Sequence, residues 1–84
     1  MVTIYTFAEC PYCKELKNLY EQEKIEYREV DIMKEENQEE WNKIVEVSKA
    51  EEVPVIRIGQ QLFLPNISFQ SITESVDLTK KFLS

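Results

Sequence analysis

The chain has 84 residues and a net charge of −6, from 10 Lys and Arg against 16 Asp and Glu, the wrong sign for a surface that binds nucleic acid. Its 43% hydrophobic and 31% charged content excludes a disordered or collagen-like chain, and no apolar run reaches the roughly 18 residues of a membrane helix. One soluble domain over residues 1–84 is expected, and a cytoplasmic one, because Met1 to Phe7 leads straight into a polar, cysteine-bearing turn rather than a signal-peptide stretch.

Val2 to Phe7 alternates branched and aromatic residues with threonine and lacks Gly and Pro, the pattern of a short buried strand. Pro11 suits the first turn of a helix, and Cys13, Leu16, Leu19 and Tyr20 follow at spacings of three and four. Cys10 therefore sits at a helix start. Strand character returns from Ile25 to Ile32 through Tyr27, Val30 and Ile32, making a βαβ unit with parallel strands.

Residues Lys34 to Glu52 hold seven Glu against three Lys. Asn37 and Glu40 have the spacing of a capping box, and Trp41, Ile44, Val45 and Ser48 define the inward stripe of a second helix. Its charges read as a solvated face rather than a docking patch. Val53 to Ile58 reads as a strand beginning with a proline, Gly59-Gln60 as a type II′ turn, and Gln61 to Leu64 as the antiparallel partner. Ser68 is expected to cap the last helix, with Phe69, Ile72, Val76, Phe82 and Leu83 inward and Lys80 and Lys81 complementing its C-terminal dipole. The order β-α-β-α-β-β-α predicts an α/β fold, a mixed four-stranded sheet with helices on both faces.

The two cysteines stand in Cys10-Pro11-Tyr12-Cys13, and there is no histidine. A structural zinc site needs four N or S ligands and a histidine-based triad needs an imidazole, so one chain can build neither from its usual parts. A bridge closing so short a loop adds little stability. A redox pair remains. Thiol–disulfide exchange needs a thiolate, which a helix N-terminus favours, so Cys10 is expected to be the nucleophile and Cys13, one turn further in, the resolving thiol. Lys14, with Lys17, adds thiolate-stabilising positive charge, and Glu9 opposes it.

Cys10-Pro11-Tyr12-Cys13 between a strand and a helix, Tyr27 to Asp31 as second strand and Val53-Pro54 opening the third resemble the glutaredoxins, dithiol members of the thioredoxin-fold superfamily, from end to end of the chain. The resemblance implies a thioredoxin-like fold and a thiol–disulfide oxidoreductase. Such a monomeric electron carrier reduces protein or glutathione mixed disulfides, takes glutathione as reductant, and holds no permanent cofactor or metal. It also implies that Pro54 follows a cis peptide bond facing the cysteines, that the Val53 backbone pairs with an incoming cysteine, and that Tyr12 lines the substrate groove.

Three places depart from the family pattern. Glutaredoxins often carry a lysine three residues before the first cysteine, a threonine before the Val-Pro, and Gly-Gly followed by an acidic pair near the last helix. Here those places hold Phe7, Glu52 and Leu64-Pro65-Asn66-Ile67-Ser68. Losing a lysine and gaining Glu52 on a chain of this charge weakens the capture of anionic glutathione. What remains for a carboxylate is the last helix's N-terminus around Ser68.

The departures favour a rival reading, a redoxin recycled by a flavin-dependent thioredoxin reductase, as in the small redoxins serving ribonucleotide reductase. A third reading is a dimer holding an iron–sulfur cluster through Cys10 of each chain plus glutathione. Pro11 and Tyr12 argue against it, because cluster-binding relatives have a smaller, single-cysteine motif. A redox-inactive binding module fits poorly with both cysteines present.

Overall fold

The computed structural model describes residues 2–83. The elements are β1 (Val2–Thr6), α1 (Pro11–Gln22), β2 (Tyr27–Asp31), a 3₁₀ turn (Glu35–Asn37), α2 (Gln38–Ser48), β3 (Val55–Ile58), β4 (Gln61–Phe63) and α3 (Ile72–Leu83). The four strands lie in the order β2-β1-β3-β4, with β1 parallel to β2 and antiparallel to β3, and β3 antiparallel to β4. This is the mixed sheet expected from the sequence.

β1 lies between two neighbours and is buried along its whole length, which explains its nearly continuous run of branched and aromatic residues. Its alternation serves two cores. Val2 and Ile4 join Ile56 and Phe63 beneath Leu16 and Tyr20 of α1 and Ile72 and Val76 of α3. Tyr5 joins Val30 and Val55 on the other face, beneath Ile44 of α2 with Trp41 packed alongside. Helices thus cover both faces. A two-residue turn links Ile58 to Gln61. Gly59 takes φ +63° while Gln60 is not in the positive-φ region, the signature of a type II′ hairpin.

Several helix boundaries differ from expectation. Ser68 does not cap α3. Its Oγ accepts the Leu64 amide at 3.0 Å and its own amide donates to the Leu64 carbonyl at 2.8 Å, closing the loop before the helix. Ser71 does the capping, accepting the Glu74 amide at 3.1 Å, while the Glu74 carboxylate reaches back to the Gln70 amide at 2.7 Å. Asn37 precedes α2 without a side-chain cap bond and donates instead to the Asp31 carbonyl at 3.0 Å. Glu40, the other half of that expected box, accepts from the Tyr5 hydroxyl at 2.8 Å and from Arg28 at 2.5 Å.

Phe82 and Leu83, read as inward, are each 49% exposed. Phe82 lies six positions after Val76, about 120° around the helix from it, and the buried place in that turn belongs to Thr79. The Thr79 and Tyr20 hydroxyls share a buried 2.7 Å hydrogen bond that ties α1 to α3.

Candidate active site

Between β1 and α1 the chain turns through Phe7 to Cys10, and the Cys10 amide donates to the Phe7 carbonyl at 3.0 Å. Cys10 is the N-cap of α1, and Pro11 occupies the first helical position, where its missing N–H leaves nothing unsatisfied. Where a serine or aspartate oxygen ordinarily caps a helix, Cys10 Sγ accepts the Cys13 amide at 3.2 Å. A thiolate fills this role better than a thiol, because the acceptor then carries a full charge.

The two sulfurs differ in surroundings. Cys10 keeps 9% of its surface in solvent, and Cys13 keeps 1%. Burial pushes the Cys13 thiol up to about 12, with its hydrogen bond to Cys10 adding to the effect and the Phe7 backbone opposing it. Both cysteines are buried, but Cys10 keeps a small opening to solvent, and Cys13, one turn further in, is a shielded, neutral thiol.

The Val53–Pro54 peptide is cis, as the family resemblance implies, and the Cys10 thiol lies 3.9 Å from the Val53 carbonyl oxygen. Pro54 is fully buried. Beside it opens a groove of about 370 Å³, lined by Tyr12 and Glu15 of α1, by Glu52, Val53 and Pro54, and by Pro65, Asn66 and the segment 69–72 at the start of α3. Of the residues singled out in the sequence, Tyr12, Val53 and Pro54 line the groove; Cys10 and Cys13 do not line it, and Cys10 meets it through Val53.

Ser68 and Lys14 fall outside the lining. Ser71 of the lining caps the helix start, and Glu74, outside the lining, already takes the Gln70 amide with its carboxylate. The free helix N-terminus expected around Ser68 is thus occupied from within. Lys14 is exposed, and Lys17 pairs with Glu29 at 3.0 Å, whose carboxylate also accepts the Thr6 hydroxyl at 2.8 Å.

The groove contains two carboxylates and no basic side chain. Glu52 is held in place by the Asn66 side-chain amide, which donates to its Oε2 at 2.8 Å. Asn66 has φ +64°, a left-handed conformation that asparagine tolerates better than most residues. Glu15, Asn66 and Ser71 were not singled out in the sequence. Glu15 lies three residues after Tyr12 on one helix face, and Ser71-Ile72-Thr73-Glu74 spells a capping box, so both left a signal. The Glu52–Asn66 pair left none. Among the described residues no group of three or more His, Cys, Asp or Glu could hold a metal ion, and no helix is long and apolar enough to cross a membrane.

The glutaredoxin family model matches residues 2–63, a span that contains both cysteines and Val53-Pro54. The chain is 32% identical over 81 residues to glutaredoxin 1 of Rickettsia felis, covering 95% of this chain and 72% of that protein. In structure it is similar to a buckwheat glutaredoxin solved as a glutathione complex, with a TM-score of 0.70 and 14% identity over 95% of this chain and 68% of that one. It is also similar to the glutaredoxin-like NrdH-redoxin of Escherichia coli, a protein with a thioredoxin-like activity profile, with a TM-score of 0.63 and 18% identity over 87% of this chain and 91% of that one.

Proposed function

From the premise that the chain belongs to the glutaredoxin family, we propose that it is a thiol–disulfide oxidoreductase working through Cys10 and Cys13 as a dithiol pair. The observation that carries this reading is the graded exposure of the two cysteines at one helix start, with the outer sulfur against Val53 at the edge of a groove. The Cys10 thiolate attacks one sulfur of a substrate disulfide, forming a mixed disulfide and releasing the other substrate sulfur as a thiolate. Cys13 then loses its proton and attacks the Cys10 sulfur. The second substrate thiolate leaves, and two electrons have passed to the substrate at the expense of a Cys10–Cys13 disulfide. Tyr12 and the Val53 backbone hold the incoming chain, and the reaction belongs to the reducing cytoplasm, where such a pair turns over.

Two sources of electrons are compatible with this chemistry. Glutathione is supported by the buckwheat glutaredoxin, which binds it. A thioredoxin-reductase type of flavoprotein is supported by the carboxylates of the groove and by the fold shared with a redoxin of thioredoxin-like profile. Coupled turnover of a disulfide substrate with glutathione and glutathione reductase, run beside thioredoxin reductase, separates the two by which one drives NADPH consumption.

Cys10→Ser is expected to abolish turnover in both assays, and Cys13→Ser to keep only reactions with glutathionylated substrates. Iodoacetamide at neutral pH should mark Cys10 and spare Cys13. Dithiol activity surviving in Cys10→Ser would overturn the assignment.

A further inference from the structure

We propose that the groove beside Cys10 selects protein disulfides flanked by cationic residues, with Glu52 and Glu15 as the residues that set the preference. The inference rests on the oxidoreductase reading and extends it to the class of substrate.

The lining carries two acidic side chains and no Lys or Arg. Lys17 is paired with Glu29, and Lys14, exposed on α1 beside Glu15, lies outside the lining, so no cation within the groove neutralises it. The Asn66 amide fixes the Glu52 carboxylate at the groove without removing its charge, and a carboxylate with one neutral donor keeps lone pairs for an incoming cation. A restrained carboxylate loses less entropy on pairing than a free one.

Tyr12 gives an independent reason. It stands 62% exposed on the same groove, and an open aromatic face attracts ammonium and guanidinium groups. The half-buried apolar side chains of Val53 and Pro65 complete a surface along which a lysine or arginine stem can lie while its head reaches a carboxylate. A peptide with glutamates beside its cysteine meets like charge instead. Glutathione, itself an anion, is in that disfavoured class.

An exposed ion pair typically contributes about a 1.4- to 5-fold effect. Two such contacts, opposed by like-charge repulsion for an acidic peptide, give an expected discrimination of about tenfold. The experiment uses three disulfide-linked peptides that differ only in the residues flanking cysteine: lysine, glutamine or glutamate. Each is reduced by pre-reduced protein in a single turnover, so no recycling enzyme enters. Rates are divided by those of the same peptide with dithiothreitol, which removes the effect of flanking charge on the peptide's own reactivity.

At low salt the lysine peptide should react about tenfold faster than the glutamate peptide, a difference that about 0.5 M NaCl largely erases. In the Glu15→Gln/Glu52→Gln variant the ratio should fall to about twofold. Glu26→Gln should keep the wild-type ratio, since Glu26 is exposed and precedes the strand end that pairs with Val2, away from the Thr6 end that leads to Cys10. Equal rates for the lysine and glutamate peptides, with the glutamine peptide reduced, would overturn the charge preference alone. A ratio that falls as far per charge in Glu26→Gln would overturn the assignment to the groove. Failure to reduce the glutamine peptide would instead remove the oxidoreductase reading itself.

Discussion

Cys13 is the more constrained of the two thiols, and its constraint shapes the second half of the proposed reaction. Burial, aided by its hydrogen bond to Cys10, raises it to about 12, so only a small fraction is thiolate at neutral pH. That fraction grows about tenfold per pH unit below this value. Burial, the largest cause, persists in the mixed disulfide while the Cys10 contribution belongs to the free dithiol, so release of substrate should still speed up as pH rises between about 7 and 9. Single-turnover resolution of a glutathionylated peptide measures it, and a flat profile would show that the proton leaves by a faster route. The chemistry of this site was legible from residue types. The helix-start position of Cys10 followed from the motif itself, whereas the placing of Tyr12, Val53 and Pro54 beside it came from the resemblance to the glutaredoxins. Glu52 was visible as a departure, but its partner was not. Asn66 is fourteen residues away, and its reach depends on a left-handed backbone angle that no spacing announces.

Helix ends are where local pattern and tertiary demand compete. The last helix was expected to start three residues early, because Phe69 is buried to 2% and extends the apolar stripe of α3 backward although it belongs to a loop. Ser71→Ala should accordingly cost about 1 kcal/mol of unfolding free energy through the lost cap, read as a lower urea midpoint. The expected cap at Asn37 failed for another reason. Its partner Glu40 was drawn to the buried Tyr5 hydroxyl and to Arg28, contacts between elements that no local spacing encodes. At the other end of α1, the Ile25 amide donates to the Tyr20 carbonyl at 2.9 Å and the Lys24 amide to the Glu21 carbonyl at 3.2 Å, the paired bonds of a Schellman motif. Lys24 takes φ +58° there, a conformation that favours glycine. Lys24→Gly should raise stability by about 0.5 to 1 kcal/mol, and an unchanged or lower melting temperature would contradict this.

At the scale of the whole molecule, strand order and pairing direction were legible because each follows from connection length: a helical crossover makes β1 and β2 parallel, and a two-residue turn makes β3 and β4 antiparallel. The tie between α1 and α3 was not, since neither Tyr20 nor Thr79 signals the other across 59 positions. That buried bond has a pH consequence. Burial raises Tyr20 to about 12, against the smaller opposing effect of Thr79, and Cys13 reaches a similar value. Both groups keep protons in the folded state that the unfolded chain releases at lower pH, near about 10 and 8.5. Their contribution to stability is full below about pH 8 and is lost as pH rises toward 12. The urea midpoint should fall across that range, and Tyr20→Phe should flatten the fall while costing about 1 kcal/mol at neutral pH for the lost hydrogen bond.

The capping sulfur links reaction state to main-chain dynamics. A disulfide sulfur is a weaker acceptor than a thiolate, so oxidation loosens the hold on the Cys13 amide hydrogen. Deuterium should then replace that hydrogen faster in the oxidised protein than in the reduced one, and the isotope uptake of a single amide would follow the electrons through each cycle.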